Sequence, residues 1–214
     1  MKEIGLTDVE KIATTVDKFQ FNDSKLTIEG TDIDLMPASY QCNGTDADGI
    51  TAEIVDVGTG FEADYEGKDV SGKIALAGVD QWNEAWIDNY IRQAYVNGAV
   101  AIVTYSTGGY GELNDDTVNV QDVCCADLMP VVAISPNQAE DIQKAIKDGN
   151  SNATLMVDAV MEEGTGTTYN VVGKIKGKSS DQQILVAGHY DKYWYGFQDD
   201  SAAVALDFAV AKAL

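Results

Sequence analysis

Histidine is almost missing from this chain, with one in 214 residues. Zinc shells are usually rich in imidazole or thiolate, so composition alone offers little for a nitrogen-rich metal site. Cysteine is scarce too: Cys42 and the adjacent pair Cys124 and Cys125, with no CxxC spacing. That argues against a structural zinc site built on thiolates. One bridge from Cys42 to either member of the pair is open in an oxidising compartment, but spacing does not say whether the atoms meet. All three are expected to be buried and non-catalytic. Basic residues number 14 against 35 acidic ones, a formal net charge of −21. Such a surface repels phosphate backbones and anionic lipid, which argues against nucleic acid and membrane surfaces as partners. No stretch approaches the run of about 20 apolar residues that a membrane span needs. No apolar segment of the signal-peptide kind follows Met1–Gly5, as expected of a cytoplasmic protein or of one whose leader has been removed.

What is present is ordinary globular material, 45% hydrophobic and 23% charged, long enough to bury a real core. The acidic surface reads first as a solubility device. Thr7–Phe19 carries Val9, Ile12, Ala13, Val16 and Phe19 at helical spacing, and Thr7 followed by Glu10 has the form of a capping box, so a first helix is expected there. Short β-like runs follow at residues 25–29, 52–57 and 73–79. Residues 85–96 read as an amphipathic helix closed by Asn97-Gly98, feeding a buried strand at 99–105. The stretch 107–122 is Gly-rich and acidic, an expected exposed loop, and 130–134 is a second buried strand. Ser135, Pro136 and Gln138 give the cap, first turn and body of a helix that ends at Gly149. After a boundary at Glu162–Thr167, strands are expected at 169–176 and 183–187, and a helix at 201–214.

The lone histidine directly follows the last of these strands, in Gly188-His189-Tyr190-Asp191, and Asp199-Asp200 precedes the final helix. Ligands bind at the C-terminal ends of strands in open α/β sheets. A neutral imidazole beside carboxylates suits zinc, and a carboxylate two residues from the histidine can fix its tautomer. Asp199, with two oxygens, has the chemistry to bridge two metals about 3.5–4 Å apart. The same residues also suit a surface His–Asp pair and an acidic N-cap. Physical chemistry alone leaves both readings open.

Residues 168–214, with TYNVVGKIKG, ILVAGHYD and GFQDDSAAVAL, resemble the opening of the catalytic domain in the co-catalytic zinc aminopeptidases, relatives of glutamate carboxypeptidase and the transferrin receptor. The middle of the chain, with TAEIVDVG, YEGKDVSGKIALA, NGAVAIVTY and MPVVAISPNQAEDI, is similar to the protease-associated domain that many members insert. The resemblance implies His189 as a zinc ligand, Asp199 as the carboxylate bridging two zincs, and Asp191 as the catalytic-site carboxylate supporting His189. It implies an α/β fold in three parts. Residues 1–19 form an N-terminal helix of the peptidase domain and 20–164 a protease-associated domain of mixed strands with flanking helices. Residues 165–214 supply the first strands and helix of a doubly wound peptidase sheet. It implies a peptide substrate, two zinc ions in the intact enzyme, and a secreted or cell-surface location.

The sequence departs from the family in two places. Asp200-Ser201-Ala202-Ala203 stands where the family has Asn and a Ser-Gly pair, and Lys192-Tyr193-Trp194-Tyr195 makes the preceding loop unusually aromatic. The family's later elements, among them an adjacent glutamate pair and a further histidine, do not occur after Asp199, so a truncated domain is expected. With no general base and an incomplete zinc shell, these residues alone are expected to be inactive. The unpartnered strands and helix should leave apolar edges and promote a homodimer. The competing function is a non-catalytic protease-associated interaction module, for which Trp82, Trp86, Tyr90 and Tyr95 are the relevant residues. Calcium binding at Asp46 and Asp48 or Asp115-Asp116 lacks the EF-hand spacing.

Overall fold

Short apolar runs bounded by turn residues become the strands of a mixed sheet with helices on both faces, an α/β fold. The computed structural model describes residues 1–80, 88–109, 114–120, 128–178, 181–192 and 195–214. Among them the strands are β1 (Thr7–Ile28), β2 (Asp34–Leu35), β3 (Ile50–Asp56), β4 (Ile74–Asp80), β5 (Ala101–Gly108), β6 (Val131–Ile134) and β7 (Asn152–Lys174). The helices are α1 (Asn89–Val96), α2 (Pro136–Lys147) and α3 (Ala203–Ala213). The chain divides into two compact units, Asp17–Thr165 and Met1–Val16 with Gly166–Leu214; β1 and β7 contribute to both.

In the Asp17–Thr165 unit the strand order is β2-β1-β7-β3-β4-β5-β6. Strands β3 to β6 run parallel, and β7 closes antiparallel on β3. Parallel strands are buried on both faces, and the side-chain period of two sorts them between two layers. Ala75, Ala77 and Val79 of β4 join Ile102, Val131 and Ala133 on one face, against Tyr90, Ile91 and Ala94 of α1. Ile74 and Leu76 join Val103, Val132 and Ile134 on the other, against Ala139, Ile142 and Ala145 of α2.

Helix α2 begins where its sequence says it should. Ser135 Oγ accepts from Gln138 N at 3.3 Å while Gln138 Oε1 accepts from Ser135 N at 2.9 Å, a complete capping box with Pro136 in the first turn. It ends at Gly149, whose φ of 90° only glycine adopts cheaply. Gln143 also reaches across to the sheet, donating to Asp56 Oδ2 at 2.9 Å and to the Tyr105 hydroxyl at 3.1 Å.

Three sequence expectations need correction. The helix over Thr7–Phe19 is instead the first half of β1. Thr7, Val9, Ile12, Thr14, Thr15 and Val16 are all β-branched, a composition that loses side-chain freedom in a helix and packs well across strands. The helical spacing was not reporting a buried face, since Ile12 is 46% exposed and Val16 37%. What fixes the strand is its antiparallel neighbour: Lys174 O accepts from Thr7 Oγ1 at 3.2 Å, and Lys11 lies over the Tyr169 ring. Second, residues 183–187 form no strand; none of the described residues pairs with them, and Ile184 is 92% and Leu185 87% exposed. Third, residues 107–108 of the expected loop belong to β5. The helix expected at 85–96 is observed from Asn89; residues 81–87 lie outside the described residues.

Candidate metal site

In the unit Met1–Val16 with Gly166–Leu214, the segment 181–192 is followed by a short π-type turn at Gln198–Ala202 that leads into α3. Gly188 permits their close approach. A Cβ there would stand 3.1 Å from Asp200 Oδ2 and 3.3 Å from Ala203 Cβ. With no side chain in the way, His189 N donates to Asp200 Oδ2 at 3.1 Å. Asp199 and Asp200 occupy the turn that opens the helix, where the dipole favours negative charge. The peptide bond between them is cis.

The imidazole of His189 sits between two carboxylates. Its Nδ1 is 3.0 Å from Asp191 Oδ1 and its Nε2 is 2.8 Å from Asp199 Oδ1. The side chain is 53% exposed, so these contacts are wet and screened. What desolvation there is disfavours the imidazolium, but hydrogen bonds to Asp199 and then Asp191 outweigh it and hold the His189 pKa above its usual 6.5. His189, Asp199 and Asp200 offer one nitrogen and two carboxylate oxygens that lie within 4.8 Å of one another. Among the described residues this is the one group of histidine, cysteine and acidic side chains close enough to hold a metal. The donor set fits zinc: a borderline ion takes imidazole and carboxylate together.

All three site residues expected from the sequence therefore come together. Asp191 and Asp199 address opposite nitrogens of the ring. Asp200 was missed as a member of the cluster; its signal was the Asp-Asp pair opening a helix, where one carboxylate turns back to the backbone N–H of His189. Asp46, Asp48, Asp115 and Asp116 fall in no such group. Of the aromatics singled out for an interaction surface, Tyr90 is fully buried in the core and Tyr95 is 49% exposed, while Trp82 and Trp86 lie outside the described residues. Cys42 is a buried free thiol 2.7 Å from Ser39 Oγ, and burial raises its pKa; Cys124 and Cys125 lie outside the described residues. No helix among the described residues is long and apolar enough to cross a membrane.

No protein-family model matches the chain. Among curated proteins it is 26% identical to a probable leucine aminopeptidase 2 of Aspergillus fumigatus over 219 residues, covering 100% of this chain and 41% of that protein. It is 31% identical over 158 residues to the probable leucine aminopeptidase 2 of Aspergillus oryzae, covering 72% of this chain and 30% of that one. Its fold is shared with the aminopeptidase from Aneurinibacillus sp. strain AM-1, at TM-score 0.68 and 24% identity over 99% of this chain and 50% of that one. The zinc aminopeptidase BSAP from Bacillus subtilis matches at TM-score 0.67 and 23% identity, over 100% of this chain and 49% of that one. The chain spans less than half the length of these curated relatives.

Proposed function

Since this chain is kin to the co-catalytic zinc aminopeptidases, we propose that it contributes the first metal-binding elements of an exopeptidase that removes residues from peptides. The observation that carries this is the clamped imidazole: His189 Nε2 faces Asp199 at 2.8 Å while Asp191 holds Nδ1 at 3.0 Å. A metal-bound histidine is ordinarily oriented in this way, by a carboxylate on its second nitrogen.

In this reading His189 and Asp199 would hold zinc, Asp199 having a second carboxylate oxygen available for a second ion, and Asp200 stands beside them. Bound zinc supplies Lewis acidity, polarising a peptide carbonyl and lowering the pKa of a coordinated water. Asp191 keeps the proton on Nδ1, so that Nε2 presents its lone pair. Asp200 fixes the backbone at His189 and so the height of the ring above the helix start. None of these groups is placed to serve as a general base while also holding metal or its ligand. The 214 residues by themselves are accordingly expected to be inactive, and peptide cleavage is assigned to the longer architecture of the relatives.

The unit Asp17–Thr165 is proposed to be a protease-associated domain that shapes substrate access, on the strength of the motifs quoted above. The exposed apolar residues of the other unit support self-association through that face. A secreted or surface location is proposed on the family resemblance alone.

Zinc titration by calorimetry tests the metal reading. The wild-type chain should bind zinc, and His189→Ala and Asp199→Ala should each abolish or strongly weaken binding. Equal binding in all three would remove His189 and Asp199 from the site.

A further inference from the structure

We infer that Tyr190 is a positioning residue for this site: its hydroxyl, anchored on strand β7, sets the aim of the histidine before it and the aspartate after it. The inference rests on the metal reading above and goes on to name a residue that touches neither metal nor substrate.

Among the described residues, 183–192 have no strand partner, so no ladder of backbone hydrogen bonds with them fixes the rotation of this segment about its own axis. Side chains of an extended segment alternate in direction. His189 and Asp191 meet each other on one side, Nδ1 to Oδ1 at 3.0 Å. Tyr190, between them, reaches elsewhere: its hydroxyl donates to the Tyr169 carbonyl oxygen at 2.8 Å. Tyr169 belongs to β7, which is hydrogen-bonded to β1, and Lys11 of β1 sits 3.5 Å from its ring centroid. The anchor is therefore a residue of a paired strand, not of another loop.

Among the described residues, two contacts to neighbouring elements restrain the backbone around the histidine. One is the bond from His189 N to Asp200 at 3.1 Å, which sets position along the helix start. The other is the tyrosine strut, which sets rotation. Removing the strut leaves the ligands in place but lets the segment turn, so that Nε2 and the Asp199 oxygen are no longer held toward a common point. Ligand preorganisation of this kind is lost without any loss of a ligand. Tyr190 is 54% exposed, so loss of its hydroxyl leaves no buried orphan, and Tyr190→Phe should fold as the wild type does.

The test is zinc calorimetry and the visible absorption of the cobalt-substituted chain, on wild type, His189→Ala, Tyr190→Phe and Tyr195→Phe. Tyr195, 98% exposed, serves as the control tyrosine in the same loop. One neutral hydrogen bond acting through a ligand should be worth about tenfold in zinc affinity. Tyr190→Phe is expected to lose that much and to change the intensity of the cobalt bands, with an unaltered melting temperature for the metal-free chain. Tyr195→Phe should match the wild type. A wild-type affinity and cobalt spectrum in Tyr190→Phe, with binding still lost in His189→Ala, would overturn the inference and leave the metal site standing. Failure of the wild type to bind, or full binding in His189→Ala, would overturn both.

Discussion

His189 Nε2 lies 2.8 Å from Asp199 Oδ1, a hydrogen-bond separation, and a proton and a metal ion would compete for the same ring nitrogen. Hydrogen bonds to Asp199 and then Asp191 outweigh desolvation and raise the imidazole pKa above 6.5. Because the folded value is raised, the protonated pair stabilises the chain below the unfolded pKa, and that contribution disappears as pH rises through the folded one. Zinc needs the neutral ring, so apparent zinc affinity should fall as pH drops through the folded pKa and level off above it. NMR titration of the single histidine should give a value above 6.5 in the metal-free wild type, moving down in Asp199→Asn. An unshifted histidine in the wild type would mean that the carboxylate clamp does not persist in solution.

The capping box of α2 gives a stability prediction independent of the metal site. Ser135→Ala removes the acceptor for Gln138 N and should cost about 0.5–2 kcal/mol in urea unfolding. Ile142→Ala, at a fully buried position between α2 and the sheet, should cost about 2–5 kcal/mol through lost burial and the cavity left behind. A change of less than about 0.5 kcal/mol for Ile142→Ala would contradict the packing of α2 on that face.

Asp64 ties a tight turn to itself by accepting from both the hydroxyl and the backbone N–H of Thr59. The hydroxyl bond, acting against desolvation, holds its pKa below the ordinary carboxylate value. A depressed folded pKa gives stability that is present above the unfolded value, near 3.9, and is lost as pH falls through the folded one. Thr59→Val should therefore flatten part of the acid-side decline in melting temperature while lowering the melting temperature at neutral pH. An acid limb unchanged in the variant would show that Asp64 does not report on this turn.

Exposed Ile184, Leu185 and Leu206, at 92%, 87% and 67%, make self-association the expected state at high concentration. Sedimentation velocity should show a concentration-dependent dimer that Ile184→Ser with Leu185→Ser disperses. A monomer at every concentration, with no binding of a hydrophobic dye, would argue against this face as a contact between copies.

The parts of the fold legible in the sequence were those where local signal and burial agree. Ser135-Pro136 followed by Gln138 specifies a helix start through hydrogen bonds made within four residues, and it was read correctly. The runs at 73–79, 99–105 and 130–134 are apolar on both faces because helices cover both sides, and each produced a strand. The N-terminal segment was misread because two periods fit it: Val9, Ile12, Ala13 and Val16 suit a helix, while its β-branched composition suits a strand. The choice was made by β7, more than a hundred residues away, which no local pattern reveals. Residues 183–187 failed in the opposite direction. They have strand composition, but a strand exists only with a neighbour, and none of the described residues pairs with them. His189, Asp191 and Asp199 lie within eleven residues of one another in sequence, and the structure brings their side chains together. The strut from Tyr190 to Tyr169 was not legible, because its acceptor is a backbone carbonyl with no sequence signature.

The most direct measurement is the anomalous scattering of zinc in crystals of this chain grown or soaked with the metal near neutral pH. A zinc peak about 2.0–2.2 Å from both His189 Nε2 and an Asp199 oxygen, with Asp191 still on Nδ1, is the expected result. No peak at that position, or zinc bound only to scattered surface carboxylates, would contradict the assignment of these residues as the opening of a metallopeptidase site.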